Sequence, residues 1–180
     1  VNTCLNQTRD DASGLFNADR KGTLLTASAR ALEVGPRAVV RCDGAARAAG
    51  ESGQGLGTLG HWVAVSGAAA APGAGSLTST GWALVMFLLG IRLGHWMPAP
   101  LWQPGAMGRF TAWAWRHAPK PLMLWAEASA TFHGQARPWW YASDGGHVDN
   151  TGVYALIKRE CDFILLSDAG TDADFQYEDI

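Results

Sequence analysis

Two short stretches of this 180-residue chain carry side chains whose type and setting suit acyl chemistry. One is Asp144-Gly145-Gly146; the other is Ser66, set between small residues in Ala64-Val65-Ser66-Gly67-Ala68. Ester hydrolysis needs a hydroxyl made nucleophilic, a base that takes its proton and returns it to the leaving alcohol, and donors for the developing oxyanion. One carboxylate can cover both proton duties if it is held within about 2.6 to 3.2 Å of the serine oxygen in the reactive complex, and partial desolvation brings its pKa nearer working pH. Two glycines after Asp144 can take φ > 0 without a Cβ clash, so the chain can reverse sharply beside the carboxylate and pin it. A plainer reading stands beside this one, in which Asp144 only accepts the NH groups of its own turn.

Ser66 has the outline of a nucleophile elbow: a short extended stretch at Val63 to Val65, small neighbours, and Ala68 to Ala71 as a possible helix start. Pro72 and Gly73 would stop that helix after about one turn, removing the dipole that helps to hold an oxyanion. Ser66 is therefore read first as structural and only second as a nucleophile. Gly55-Leu56-Gly57-Thr58-Leu59-Gly60 satisfies GxGxxG by letter, but AARAAGESGQ before it is no strand, so it reads as a loop rather than a cofactor site. The five histidines are scattered, and only His147 lies near carboxylates, Asp144 and Asp149, which is a weak case for a metal. Neither a cofactor nor a metal is expected.

The elements that must position Asp144 follow from the pattern around it. Pro138 to Ala142 is aromatic and extended in character, and the glycine turn comes next. Asn150 or Thr151 can cap a helix of about ten residues, with Val153, Tyr154 and Ile157 on one face and Lys158, Arg159 and Glu160 at the polar end. Phe163 to Leu166 is a short apolar run of the kind covered on both faces, so the unit reads as a β-α-β crossover in a parallel sheet. Asp144 and Asp168 would then both stand at strand C-terminal ends, where open α/β sheets bind ligands.

Upstream, Val1 to Asn6 reads as the end of a strand, and Thr23 to Thr26 and Ala38 to Arg41 as short extended segments separated by the turn signal Gly35-Pro36. Thr80 to Gly94 reads as a helix apolar nearly all round, to be buried or to face lipid. Trp96 to Trp125 holds five tryptophans among five prolines. They either fill a groove beneath an irregular segment, the favoured reading, or form an interfacial surface such as a lid over an acyl site.

An apolar fraction of 48% and this length fit one globular domain. With a net charge of −2 and no basic block longer than two residues, the footprint of nucleic-acid binding is missing. Three widely spaced cysteines, Cys4, Cys42 and Cys161, suggest reduced thiols in a cytoplasmic compartment rather than a disulfide framework or a zinc site. The longest apolar run, Trp82 to Leu89, is far short of a membrane span. An opening without Met and an ending without a terminating signal read as a piece of something longer.

SDGGHVDNTGVYALIKREC followed by FILLSDAG resembles the C-terminal part of the patatin-like phospholipase superfamily, in particular its large bacterial members and their relatives among the cytosolic phospholipases. VSGAAAAPGAG (Val65 to Gly75) and IRLGHWMPAP (Ile91 to Pro100) are similar to segments of the same group, so the resemblance touches most of Gly57 to Asp179. It implies that Asp144 is the aspartate of a Ser-Asp dyad, that Gly145 and Gly146 shape its turn, and that the nucleophile lies upstream of this chain. It also implies an α/β fold, part of a three-layer sandwich with a central, largely parallel sheet, with residues 1–180 forming the C-terminal portion of one catalytic domain. The expected activity is hydrolysis of phospholipid or lysophospholipid esters, cytoplasmic or on the cytoplasmic side of a membrane surface. The alternative is a noncatalytic lipid-binding or membrane-peripheral module on the same fold.

Overall fold

The first strand is the centre of the sheet. In the computed structural model, which describes residues 1–9, 18–28, 31–35, 38–41, 57–100 and 108–166, β1 (Asn2–Asn6) is flanked on both sides by antiparallel partners. One is β2 (Gly22–Ala27), continued outward by β3 (Ala31–Val34) and β4 (Ala38–Arg41). On the other side lies β6 (Trp139–Asp144), with β5 (His95–Pro98) beyond it. The order of the six strands is β4-β3-β2-β1-β6-β5, and every neighbouring pair is antiparallel.

Alternation along the strands separates two faces. Leu5, Leu25, Leu32, Val34, Met97, Trp140 and Ala142 point to one, where α1 (Leu59–Ser66) lays Trp62 and Val65 on them. Burying side chains of this size is worth roughly 1.5–3 kcal/mol each, which makes this the main core. α1 can start where it does because the Thr58 hydroxyl caps it, accepting from the His61 N–H at 3.2 Å. Tyr141 points to the opposite face, stacked on Phe132 at 4.7 Å and beside Trp96 at 5.1 Å, with Ala71 packed among them.

Beyond that face stands a helical group. α2 (Thr80–Leu88) is capped by the Ser79 hydroxyl and buries Ala83 and Met86. α3 (Arg109–His117) buries Trp115, and α4 (Pro119–Ser129) packs against both α2 and α3. Glu127 of α4 is buried beneath the group, and the Arg92 guanidinium binds both its oxygens while the Trp96 indole N–H donates to Oε1 at 2.7 Å. A buried carboxylate is tolerated only with such partners. The last helix, α5 (Val153–Lys158), is tied to β3 by Glu33, which pairs with Arg159 at 2.8 Å and Lys158 at 3.3 Å.

Several expectations are corrected here. The central, largely parallel sheet of a three-layer α/β sandwich is absent, since all described strands pair antiparallel. The strand expected to complete a crossover after α5 is not formed: residues 163–166 are not a strand, and Phe163 and Leu165 are 82% and 83% exposed. An apolar run of four reads as a buried strand by letters alone, but here it is at most partly covered. The extended stretch expected at Val63 to Val65 is the second half of α1. Thr80 to Gly94 is helical only to Leu88, with Gly90 at φ 71° ending the turn. Val1 to Asn6, Thr23 to Thr26 and Ala38 to Arg41 are strands, and β3, placed before Gly35, is one that the pattern does not announce.

Candidate active site

Asp144 is the last residue of β6, opposite Thr3 of β1, and by the two-residue period it points to the face that α1 covers. Its Oδ1 accepts the Gly146 N–H at 2.9 Å, which closes a single 3-10 turn, Gly145–His147. Among the described residues, none donates to Oδ2. The glycines shape this turn by a route other than the expected one. Neither has positive φ; Gly145 is needed because a Cβ there would stand 2.5 Å from the Asn2 carbonyl oxygen, and a Cβ on Gly146 would meet the Asn150 amide oxygen at 2.9 Å. Close approach, of backbone to the Asn2 backbone at Gly145 and to the Asn150 side chain at Gly146, is what the pair provides, rather than left-handed φ.

The turn is also held from behind. Ser143 faces away from the α1 side, fully buried, with its hydroxyl 3.0 Å from His147 Nδ1 and accepting from Asn6 Nδ2 at 2.8 Å. Asn6 Oδ1 in turn accepts the Gly75 N–H at 3.1 Å. The Ala69 backbone is the imidazole's other polar neighbour and favours its charged form. Burial lowers the pKa of His147, and the nearby Asp144 charge only partly offsets that. Cys4, paired with Ser143 across the ladder, lies against the same hydroxyl, and burial pushes its thiol up to about 12. The imidazole that seemed a weak metal ligand is thus a turn clamp, and no group of three or more metal-ligating side chains occurs among the described residues.

No family model, curated protein or solved structure matches the chain. What can be said of the site therefore comes from its own geometry.

Ser66 is the last residue of α1, where the helix precedes it; an elbow needs a strand before the serine and a helix after it. Its hydroxyl donates to the Asn2 carbonyl at 2.8 Å, not to Asp144. The Asn2 carbonyl thus touches both Ser66 and Gly145, which brings the serine to the same end of the sheet as the Asp-Gly-Gly turn without joining the two side chains. Asp168 lies outside the described residues, as do Gly55 and Leu56 of the GxGxxG letters. Gly57 to Gly60 lead into α1.

Beyond the turn, Thr151, one of the two expected caps, accepts the Val153 N–H at 3.3 Å, and Asp149 shares the capping with it. Asp149 Oδ1 accepts from Gly152 N and Thr151 Oγ1, each at 2.9 Å, and its Oδ2 from Tyr154 N at 3.2 Å. Asn2 completes the frame by donating Nδ2 to the Asp149 carbonyl at 3.0 Å. The residues that sequence reasoning missed are Asn2, Asn6 and Ser143. Ser143 had a signal, since it adjoins Asp144 and period two turns it inward with Tyr141; the two asparagines had none, because the partners of their amide groups in the site, Asp149 and Ser143, lie more than 130 residues away.

Proposed function

We propose that Asp144 is the general base of a serine-aspartate acyl hydrolase acting on phospholipid or lysophospholipid esters, with a serine supplied from outside these residues as its nucleophile. The observation that carries this reading is the division of labour within one carboxylate. Oδ1 is fixed by the Gly146 N–H at 2.9 Å, while no described residue donates to Oδ2. Turn-holding and base chemistry therefore do not compete: the first orients the second, which is the preorganisation a dyad requires. Resemblance of SDGGHVDNTGVY to the patatin-like turn adds the substrate class. The reading rests on that motif and on the turn, not on the sheet, whose strands run antiparallel.

The test is Asp144→Asn in the complete protein that carries this chain, assayed on phospholipid and lysophospholipid. An asparagine keeps an Oδ1 that can accept the Gly146 N–H, so folding should hold while hydrolysis falls by at least about 10³-fold. Retained turnover would remove the assignment. A fluorophosphonate probe locates the nucleophile independently. Labelling of Ser66 would overturn the view that the serine comes from elsewhere.

A further inference from the structure

We infer that the outward faces of α2, α3 and α4 form a docking surface for an anionic lipid bilayer. Large apolar side chains stand exposed on all three helices: Leu88 is 73% exposed, Phe110 79%, Trp113 56% and Trp125 70%. On α3 the exposed rings form a ladder, Phe110 on Trp113 at 6.1 Å and Trp113 on His117 at 5.0 Å, while Trp115 turns inward. α4 packs against both α2 and α3, so the three helices form one group. Indole rings backed by a rigid layer favour the level of lipid headgroups.

Charge selects the occupant. Residues 52–143 hold five cations and one carboxylate, a net of +4, whereas the other 88 residues hold nine cations and fifteen carboxylates, a net of −6. The one carboxylate, Glu127, is buried and bound by Arg92 and Trp96, so it projects no charge from this surface. Arg116 and Lys120 are exposed at the end of α3 and the start of α4, Arg116 one turn along the helix from Trp113. A second copy of the chain would set these cations against themselves in a two-fold contact, and an uncharged membrane would leave them without partners. An anionic bilayer satisfies the rings and the cations together.

The inference does not depend on Asp144, and its test measures binding rather than hydrolysis. The full chain is sedimented with phosphatidylcholine vesicles with and without phosphatidylglycerol. Binding to the anionic vesicles, at least about tenfold tighter than to phosphatidylcholine alone and weakened by salt, is expected. Arg116→Gln with Lys120→Gln should weaken it about thirtyfold, and Trp113→Ala with Trp125→Ala at least tenfold, with melting temperatures near the parent's because all four side chains are exposed. Absence of binding, equal binding to both vesicles, or variants that bind like the parent would overturn the proposal. So would self-association abolished by Trp125→Ala without vesicle binding, which would assign the face to a second copy.

Discussion

The Ser143 hydroxyl lies 3.0 Å from His147 Nδ1, so a buried side chain on one face of β6 holds the turn that follows Asp144 on the other. Asp144 is thereby positioned from two directions, by its own bond to Gly146 and by a clamp that runs from Asn6 through Ser143 to His147.

Removing the Ser143 hydroxyl leaves the buried Asn6 Nδ2 with only its long bond to the Cys4 carbonyl, 3.4 Å, and takes the serine partner from the half-buried His147 Nδ1. Ser143→Ala should destabilise the chain by about 1–3 kcal/mol, the usual cost of orphaning buried polar groups. Urea denaturation measures it. A double-mutant cycle with His147→Gln should show coupling between the two positions, because they share this bond; strictly additive losses would mean that the clamp carries no energy of its own.

Acid should weaken the fold in a window set by histidines. Burial lowers the pKa of His147, and burial followed by repulsion from His61 lowers that of His95. Between those lowered values and the unfolded value of about 6.5, the unfolded chain binds more protons than the folded one, so stability falls as pH falls through the window and is level above it. Glu33 acts lower down: burial pushes its carboxyl up, but Arg159 and Lys158 more than offset this and hold it below the ordinary range, so its contribution is lost only in stronger acid. Urea midpoints should therefore decline as pH falls below about 6.5, and His147→Gln should flatten part of that slope. An unchanged slope in the variant would show that His147 is not the group titrating.

Thiol chemistry offers a check on the packing of β1 against β6. Cys4 is fully buried with its pKa pushed up to about 12, mainly by burial, whereas Cys161 is exposed. Since the thiolate is the reactive form, iodoacetamide at about pH 8 should modify Cys161 and spare Cys4 until the chain is unfolded. Peptide mapping separates both from Cys42, which lies outside the described residues. Modification of the two at equal rates in the native chain would contradict the central position of β1.

Local features were legible in the sequence where a local cause produces them. β6, the turn after it, the start of α2 and the presence of a helix after Gly152 all have their determinants within a few residues. α5 is shorter than its pattern suggests because Asp149 and the left-handed Gly152 set its start, and Glu160 at φ 51° follows its end. Sheet direction was not legible. It is fixed by β1 pairing with β6 across the whole length of the chain, Cys4 against Ser143 and Leu5 against Ala142, and no periodicity reports such a register. β5 was hidden for a related reason: its tryptophan reads as one of a cluster until Tyr141 is seen opposite it.

The two glycines of the turn should respond differently to substitution, which separates close approach from left-handed φ as the reason for them. An alanine Cβ at Gly145 would sit 2.5 Å from the Asn2 carbonyl oxygen, a backbone atom in the central strand that can yield only if β1 shifts. At Gly146 the nearest atom, at 2.9 Å, is the amide oxygen of Asn150, the far end of a side chain that can swing aside. Neither position has positive φ, so neither substitution carries a left-handed penalty. Gly145→Ala should therefore cost about 1–3 kcal/mol, the range for overpacking, and Gly146→Ala less than about 1 kcal/mol. Because Asn2 also accepts the Ser66 hydroxyl and donates to the Asp149 carbonyl, the Gly145 variant should loosen α1 and α5 together, visible as faster amide exchange at both. Equal costs at the two glycines would mean that the turn does not rest on β1, and the rigid placement of the Asp144 carboxylate would lose its structural basis.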